Sequence, residues 1–274
     1  MTRAAASIIA TVLLLAGCGS SFNEPEGDAL RVLSLDQCAD QYVLALGEGH
    51  DLALSPRADD PDSGLRSEAA GHRMLRPTLE SVVAYAPDVV VRYWGGDARL
   101  LAHLERQGVR VVAITDAADF ASVEQSIAEV AQALDRRAEG QALIGRMRTT
   151  LNDGAPPEGA RPVTALYLTA GGFTSGSGTL IDASLEAAGL ENAAGHAGFG
   201  AVRVEQLAME PPERFALGFY DQTRADRRGP GRHPLVKRLV QDRPTVRLPA
   251  DMLTCPAWFM AEAVPALAEL RDAR

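Results

Sequence analysis

Two distant stretches of this chain follow one plan, and that limits the fold more than any other feature. The first runs Thr78-Leu79-Glu80-Ser81-Val82-Val83-Ala84-Tyr85-Ala86-Pro87-Asp88-Val89-Val90-Val91-Arg92-Tyr93-Trp94. The second runs Arg203-Val204-Glu205-Gln206-Leu207-Ala208-Met209-Glu210-Pro211-Pro212-Glu213-Arg214-Phe215-Ala216-Leu217-Gly218-Phe219. In register, Glu80 matches Glu205, Val82 matches Leu207, Pro87 matches Pro212, Asp88 matches Glu213, Val90 matches Phe215 and Trp94 matches Phe219. Each copy reads as a short helix with a glutamate near its start, then a Pro-acid turn, then an apolar strand ending in an aromatic. A solenoid repeats every 20–50 residues or so. Copies this far apart point instead to two similar lobes.

The N-terminus indicates the compartment. Arg3 gives a short positive stretch, residues 8–15 are apolar but too short to span a bilayer, and small residues follow. Leu15-Ala16-Gly17-Cys18 resembles the lipobox of bacterial lipoproteins. That resemblance implies a signal peptide over 1–17, acylation of the Cys18 thiol, and a polar tether over 18–28 that ties the mature chain to a membrane surface outside the cytoplasm. The other reading is an ordinary signal peptide with an incidental cysteine. A net charge of −9 disfavours nucleic acid, which needs a basic face. Cys38 and Cys255 meet an oxidising compartment. They either pair, closing a loop of more than two hundred residues, or stay as buried thiols.

Strands and helices alternate along the rest, the pattern of a parallel α/β sheet. Strands are expected at 31–35, 51–54, 89–94 and 109–114, with helices at 36–46, 80–85 and 98–107 and a polar loop at 59–71. The second half opens with a strand at 163–168, a glycine-rich loop at 171–178 and a helix at 180–190. After the second repeat come a polar loop at 224–232, a helix from His233, a short strand at 246–248 and a closing helix at 256–270. Between the halves, Phe120, Val123, Ile127, Val130 and Leu134 recur at steps of three and four, and Leu143, Ile144, Met147 and Leu151 continue the stripe. This reads as one amphipathic helix of roughly thirty residues, about 45 Å long. The lack of sustained e/g charge pairing argues against a coiled coil. The expected organisation is an N-terminal lobe over 29–117, a linker helix over 118–154 and a C-terminal lobe over 155–274.

Together these residues resemble the helical-linker (class III) substrate-binding proteins of ABC importers, the binders of vitamin B12, ferric siderophores and haem. The resemblance is carried by Arg31-Val-Leu-Ser-Leu35, Leu79-Glu80 with Ala86-Pro87-Asp88, Trp94-Gly95-Gly96, the central helix, Val204-Glu205-Gln206-Leu207 and His233-Pro234-Leu235. It implies an α/β fold of two Rossmann-like lobes with mainly parallel sheets, joined by one long α-helix, with a ligand cleft between them. It implies that Glu80 and Glu205 dock onto the transmembrane subunits of a permease, and that the protein acts as a monomer. Ligands of open α/β sheets sit at the carboxyl ends of strands. Asp36, Gln37, Tyr93, Trp94, Phe173 and Tyr220 are therefore candidate ligand contacts, with Trp258 and the Asp59-Asp60 loop as weaker ones. Arg57, Arg92, Arg203 and Arg224 are available for an anionic ligand, and none stands out.

No resident cofactor is expected. The carried ligand is expected to be a metal chelate, of iron–siderophore type, or a corrinoid. An enzyme is disfavoured: the 171–178 loop lacks a P-loop ending, Ser175 and Ser177 lack a hydrolase elbow, and there is no paired-His zinc motif. A bare zinc or manganese binder needs clustered ligands, whereas His50, His72, His103, His196 and His233 are scattered. A non-transporting ligand sensor is the remaining alternative.

Overall fold

The structure is a computed structural model, described over residues 29–220 and 228–273. The leader, Cys18, the tether and Arg224 lie outside the described residues. No helix among the described residues is long and apolar enough to cross a membrane.

The N-terminal lobe comprises β1 (Arg31–Ser34), α1 (Gln37–Leu46), β2 (Asp51–Leu54), β3 (Arg73–Met74), α2 (Leu79–Tyr85), β4 (Val89–Arg92), α3 (Ala98–Arg106) and β5 (Arg110–Ala113). Its five strands are all parallel, in the order β3-β2-β1-β4-β5. Val32, Leu33, Val89, Val90 and Val91 are buried, as expected of a parallel sheet covered on both faces. Asp36 starts α1 by accepting the N–H groups of Cys38 and Ala39. Thr78 and Ser81 form a reciprocal capping box at α2, which ends at Ala86 in the left-handed region (φ 50°) just before Pro87.

The central run corrects one expectation. It is two helices, α4 (Phe120–Ala133) and α5 (Arg137–Asp153), not one of thirty residues. Asp135 turns left-handed at φ 53°. The Asp135 N–H reaches the Gln132 carbonyl at 3.4 Å and the Arg136 N–H reaches that of Ala131 at 2.8 Å, which is a Schellman stop. The helices then run antiparallel: Arg148 forks onto Glu124 at 2.6 and 2.5 Å. A Cβ added at Gly140 would come within 2.5 Å of the Ala131 methyl. Aspartate tolerates the left-handed region, so the break needed neither glycine nor proline. Only α5, about 26 Å long, connects the lobes.

The C-terminal lobe comprises β6 (Val163–Leu168), β7 (Phe173–Ser175), α6 (Leu180–Ala187), β8 (Leu190–Asn192), β9 (Phe199–Ala201), α7 (Val204–Met209), β10 (Arg214–Gly218), α8 (Pro234–Gln241), β11 (Thr245–Leu248), α9 (Ala250–Leu253) and α10 (Ala263–Asp272). Four strands form a parallel sheet, β11-β10-β6-β8. The stretch read as a glycine-rich loop instead contains β7, which pairs antiparallel with β9 as a separate ribbon. The closing helix starts as a 3₁₀ segment, Trp258–Glu262.

The repeat is structural as well as sequential. α2–β4 and α7–β10 begin at matched positions, and their Pro-acid turns do the same job. Asp88 accepts the Arg31 N–H at 2.8 Å, and Glu213 meets the Arg161 guanidinium at 2.6 Å and Thr164 N–H at 3.4 Å. Each acid thereby ties its strand to the first strand of its sheet. One buried cluster runs through both lobes, from Val32 and Tyr42 through Ile127 and Ile144 to Ala165, Leu185 and Val264. Two smaller clusters cover the outer sheet faces.

Candidate functional site

Both parallel sheets aim their carboxyl ends at one cavity of about 420 Å³ between the lobes. Its N-terminal wall follows β4 and β5: Tyr93, Asp116, Ala117 and Ala118. Its C-terminal wall follows β6, β10 and β11, through Thr169, Phe219 and the 253–256 stretch, and is completed by Tyr167, the start of α6 and the β7–β9 ribbon. Register puts Phe173 and Phe199 on one face of that ribbon. They are 61% and 73% exposed. Two exposed phenylalanines beside a third, Phe219, are costly in water and mark a binding surface. Phe219 also sits in the left-handed region (φ 51°), a strained setting for an aromatic residue, of a kind that clusters at ligand sites. A smaller hollow of about 250 Å³ between α2 and α3 faces outward, away from the strand ends.

Asp116 is the only charged side chain in the cavity lining among the described residues. The Tyr93 hydroxyl donates to its Oδ1 at 2.8 Å. Burial, with Asp116 next, pushes the Tyr93 phenol above its ordinary range, and burial does the same to Tyr167. Both phenols therefore stay protonated donors. Thr174 is a buried lining residue whose Oγ1 has no partner among the described residues.

The lobes are stapled below this cavity. Cys38 at the start of α1 is bonded to Cys255, with Cα atoms 5.3 Å apart. The Tyr42 hydroxyl donates to the Pro256 carbonyl at 2.8 Å.

The candidate contacts divide. Tyr93 and Phe173 line the cavity. Asp36 and Gln37 do not, which corrects their reading as ligand groups. Asp36 is buried, and its Oδ2 accepts the N–H groups of Tyr93, Trp94 and Gly95 at 2.7, 3.1 and 2.8 Å. That grip ends β4 and forms the loop that presents Tyr93. A Cβ at Gly95 would lie 2.5 Å from the Leu35 carbonyl oxygen, so the first glycine after Trp94 serves close packing. Gln37 is buried and donates to Ser63 Oγ at 2.9 Å. Trp94 is 57% exposed and outside the lining. Tyr220 is buried, donates to the Gly231 carbonyl and carries the Arg232 guanidinium 4.0 Å above its ring; it caps the core. Trp258 packs edge-on against Tyr42 at 5.2 Å, also in the core. Asp60, in the 59–71 loop, pairs with Arg57, and Arg92 donates to the Gly95 carbonyl. Sequence reasoning does not single out Asp116, Tyr167 and Phe199 as site residues, and it marks Phe219 only as the strand-end aromatic of the second repeat. Tyr167, Asp116 and Phe219 each sit at or just past a strand's carboxyl end, and Phe199 stands between two glycines.

Glu80 and Glu205 are each the second residue of their helices and exposed. Neither makes an ion pair among the described residues. No cluster of metal-binding side chains occurs among the described residues.

The chain is similar to several solved structures. The periplasmic haem-binding protein BhuT, in complex with two haems, is 25% identical, with 89% of this chain and 98% of that one covered and a TM-score of 0.67. The haem-binding protein HutB of Vibrio cholerae is 16% identical, with 88% and 98% covered and a TM-score of 0.71. The vitamin B12-binding protein BtuF of Vibrio cholerae is 18% identical, with 89% and 97% covered and a TM-score of 0.61. These likenesses agree with the two-lobed α/β fold. No curated protein matches the chain. The family profile described as periplasmic binding protein matches residues 32–213, and the chain belongs to that family.

Proposed function

We propose that this chain is the extracytoplasmic, lipid-anchored substrate-binding component of an ABC importer, and that it carries an iron–siderophore or cobalamin-type compound. The observation that carries the reading is the cavity between the lobes, walled by Tyr93 on one side and Phe173, Phe199 and Phe219 on the other. Flat apolar faces of this kind suit a large ring or chelate. The protein acts as a monomer that binds in the cleft and delivers to a permease.

Glu80 and Glu205 are the docking points. Each is an exposed acid in the first turn of a repeat helix, with an exposed apolar side chain one turn on: Val83 at 51% and Met209 at 76%. A single exposed ion pair contributes about 0–1 kcal/mol. Two acids held apart by a rigid body set orientation and speed encounter with a basic partner. Reversing both (E80K/E205K) is expected to abolish uptake in cells while leaving the purified protein's ligand affinity unchanged. Uptake that survives the double reversal contradicts docking through this pair.

Haem is the second reading, favoured by the similarity to BhuT. A Soret band that shifts and saturates on haemin titration distinguishes it from the first.

A further inference from the structure

We infer that Asp116, held by Tyr93 on the N-terminal wall, makes the cavity select its ligand by charge: it takes an uncharged or cationic chelate with hydrogen-bond donors on its rim and discriminates against carboxylate- or catecholate-bearing ones. This rests on the reading of the cavity as the ligand site. Asp116 Oδ1 is occupied by the Tyr93 hydroxyl, and Oδ2 has no bond among the described residues. It is the acceptor offered to a ligand from that side. Among the described residues, the lining contains no lysine, arginine or histidine. Among the described residues, the other source of positive potential in the wall is the N-terminus of α6, where Asp182 sets a carboxylate in the first turn. Thr179 accepts the Asp182 N–H at 3.2 Å, and the Asp182 carboxylate accepts the Gly178 N–H at 3.1 Å. A chelate that presents an anionic edge here meets a carboxylate with no basic side chain beside it among the described lining residues. One that presents amide or ammonium donors completes Oδ2. Because Asp116 is exposed, the discrimination is modest and salt-dependent.

The test uses matched ligand pairs on the full mature protein, with dissociation constants read by fluorescence quenching. The pairs are ferrioxamine B and its N-acetylated form, cyanocobalamin and its monocarboxylic acid, and haemin dimethyl ester and haemin. In each pair the first member carries the more positive charge on the same scaffold. Within whichever scaffold binds, the first member is expected to bind about three- to tenfold tighter, and D116N is expected to erase that difference. Raising the salt should shrink it in the native protein. Equal affinities within the pair, or a preference that survives D116N, overturn charge selection by Asp116 while leaving the cavity as the binding site. Failure of all three scaffolds to bind overturns the proposed function, and this inference with it.

Discussion

Asp36 accepts five backbone N–H groups, two from the start of α1 and three from the loop after β4. It was legible as a polar residue at a strand's carboxyl end, where ligands sit. The partners that make it a scaffold instead lie more than fifty residues away in sequence, and local pattern cannot show them. The same holds for Tyr220, whose ring is taken up by Arg232. Asp40 is a second buried acid on α1. It accepts the Ser55 N–H at 2.8 Å and the Ser55 hydroxyl at 2.6 Å, so it anchors the start of the 55–72 stretch. Burial pushes its carboxyl from 3.8 to about 6. A carboxyl with a raised folded-state pKa contributes stability that is complete below about 4 and lost as pH rises through about 6. At 1.36 kcal/mol per unit, the loss is at most about 3 kcal/mol. Asp40→Asn mimics the protonated form. Denaturant midpoints at pH 4.5 and pH 7.5 should therefore show the native protein losing ground to D40N at the higher pH. A gap between the two proteins that does not change with pH contradicts this.

Most elements were legible because their apolar periods and caps are local, as in β1, α1, α2, α3 and β6. Two were not. The α4–α5 break follows from a left-handed aspartate within Asp-Arg-Arg, a sequence that carries no stop signal. The β7–β9 ribbon joins two three-residue strands, each too short to show a period of two. Phe199 is the more consequential omission, since with Phe173, which was anticipated, it forms much of the cavity's aromatic surface. The bond between α1 and Cys255 also belongs to this scale: it ties the first helix of one lobe to the cavity wall of the other. Closing a loop across a separation of 217 residues contributes about 5 kcal/mol in the chain-entropy model, and losing a native disulfide typically costs about 2–5 kcal/mol. Reduction, or the C38S/C255S pair, is expected to lower Tm by about 5–15 °C. A melting curve unchanged by dithiothreitol contradicts a stabilising role for the bond.

At the scale of the molecule, the lobes share one buried cluster through α5, the 3₁₀ segment and α10, and a disulfide crosses beneath the cavity. Such a body is expected to close little on its ligand, and a large compaction by scattering on ligand addition would contradict that. The repeat explains why the site lies where it does: two copies of a helix–strand unit aim their strand ends at one gap and their helix-start glutamates outward. Two similar lobes were legible from that repeat, and the family from the repeat together with Arg31-Val-Leu-Ser-Leu35, Trp94-Gly95-Gly96, the central helices and His233-Pro234-Leu235. The lining was only partly legible, because a cavity's surface depends on which side chains the loops turn inward. The role proposed for this gap, and for its ribbon phenylalanines in particular, is to take the ligand. Calorimetric titration of cyanocobalamin, ferrioxamine B and haemin into the native protein and into F173A/F199A tests it most directly. Both phenylalanines are exposed, so the variant should fold. At least one compound is expected to bind the native protein and to lose about tenfold or more in affinity with the variant; undiminished affinity for the variant would contradict the account.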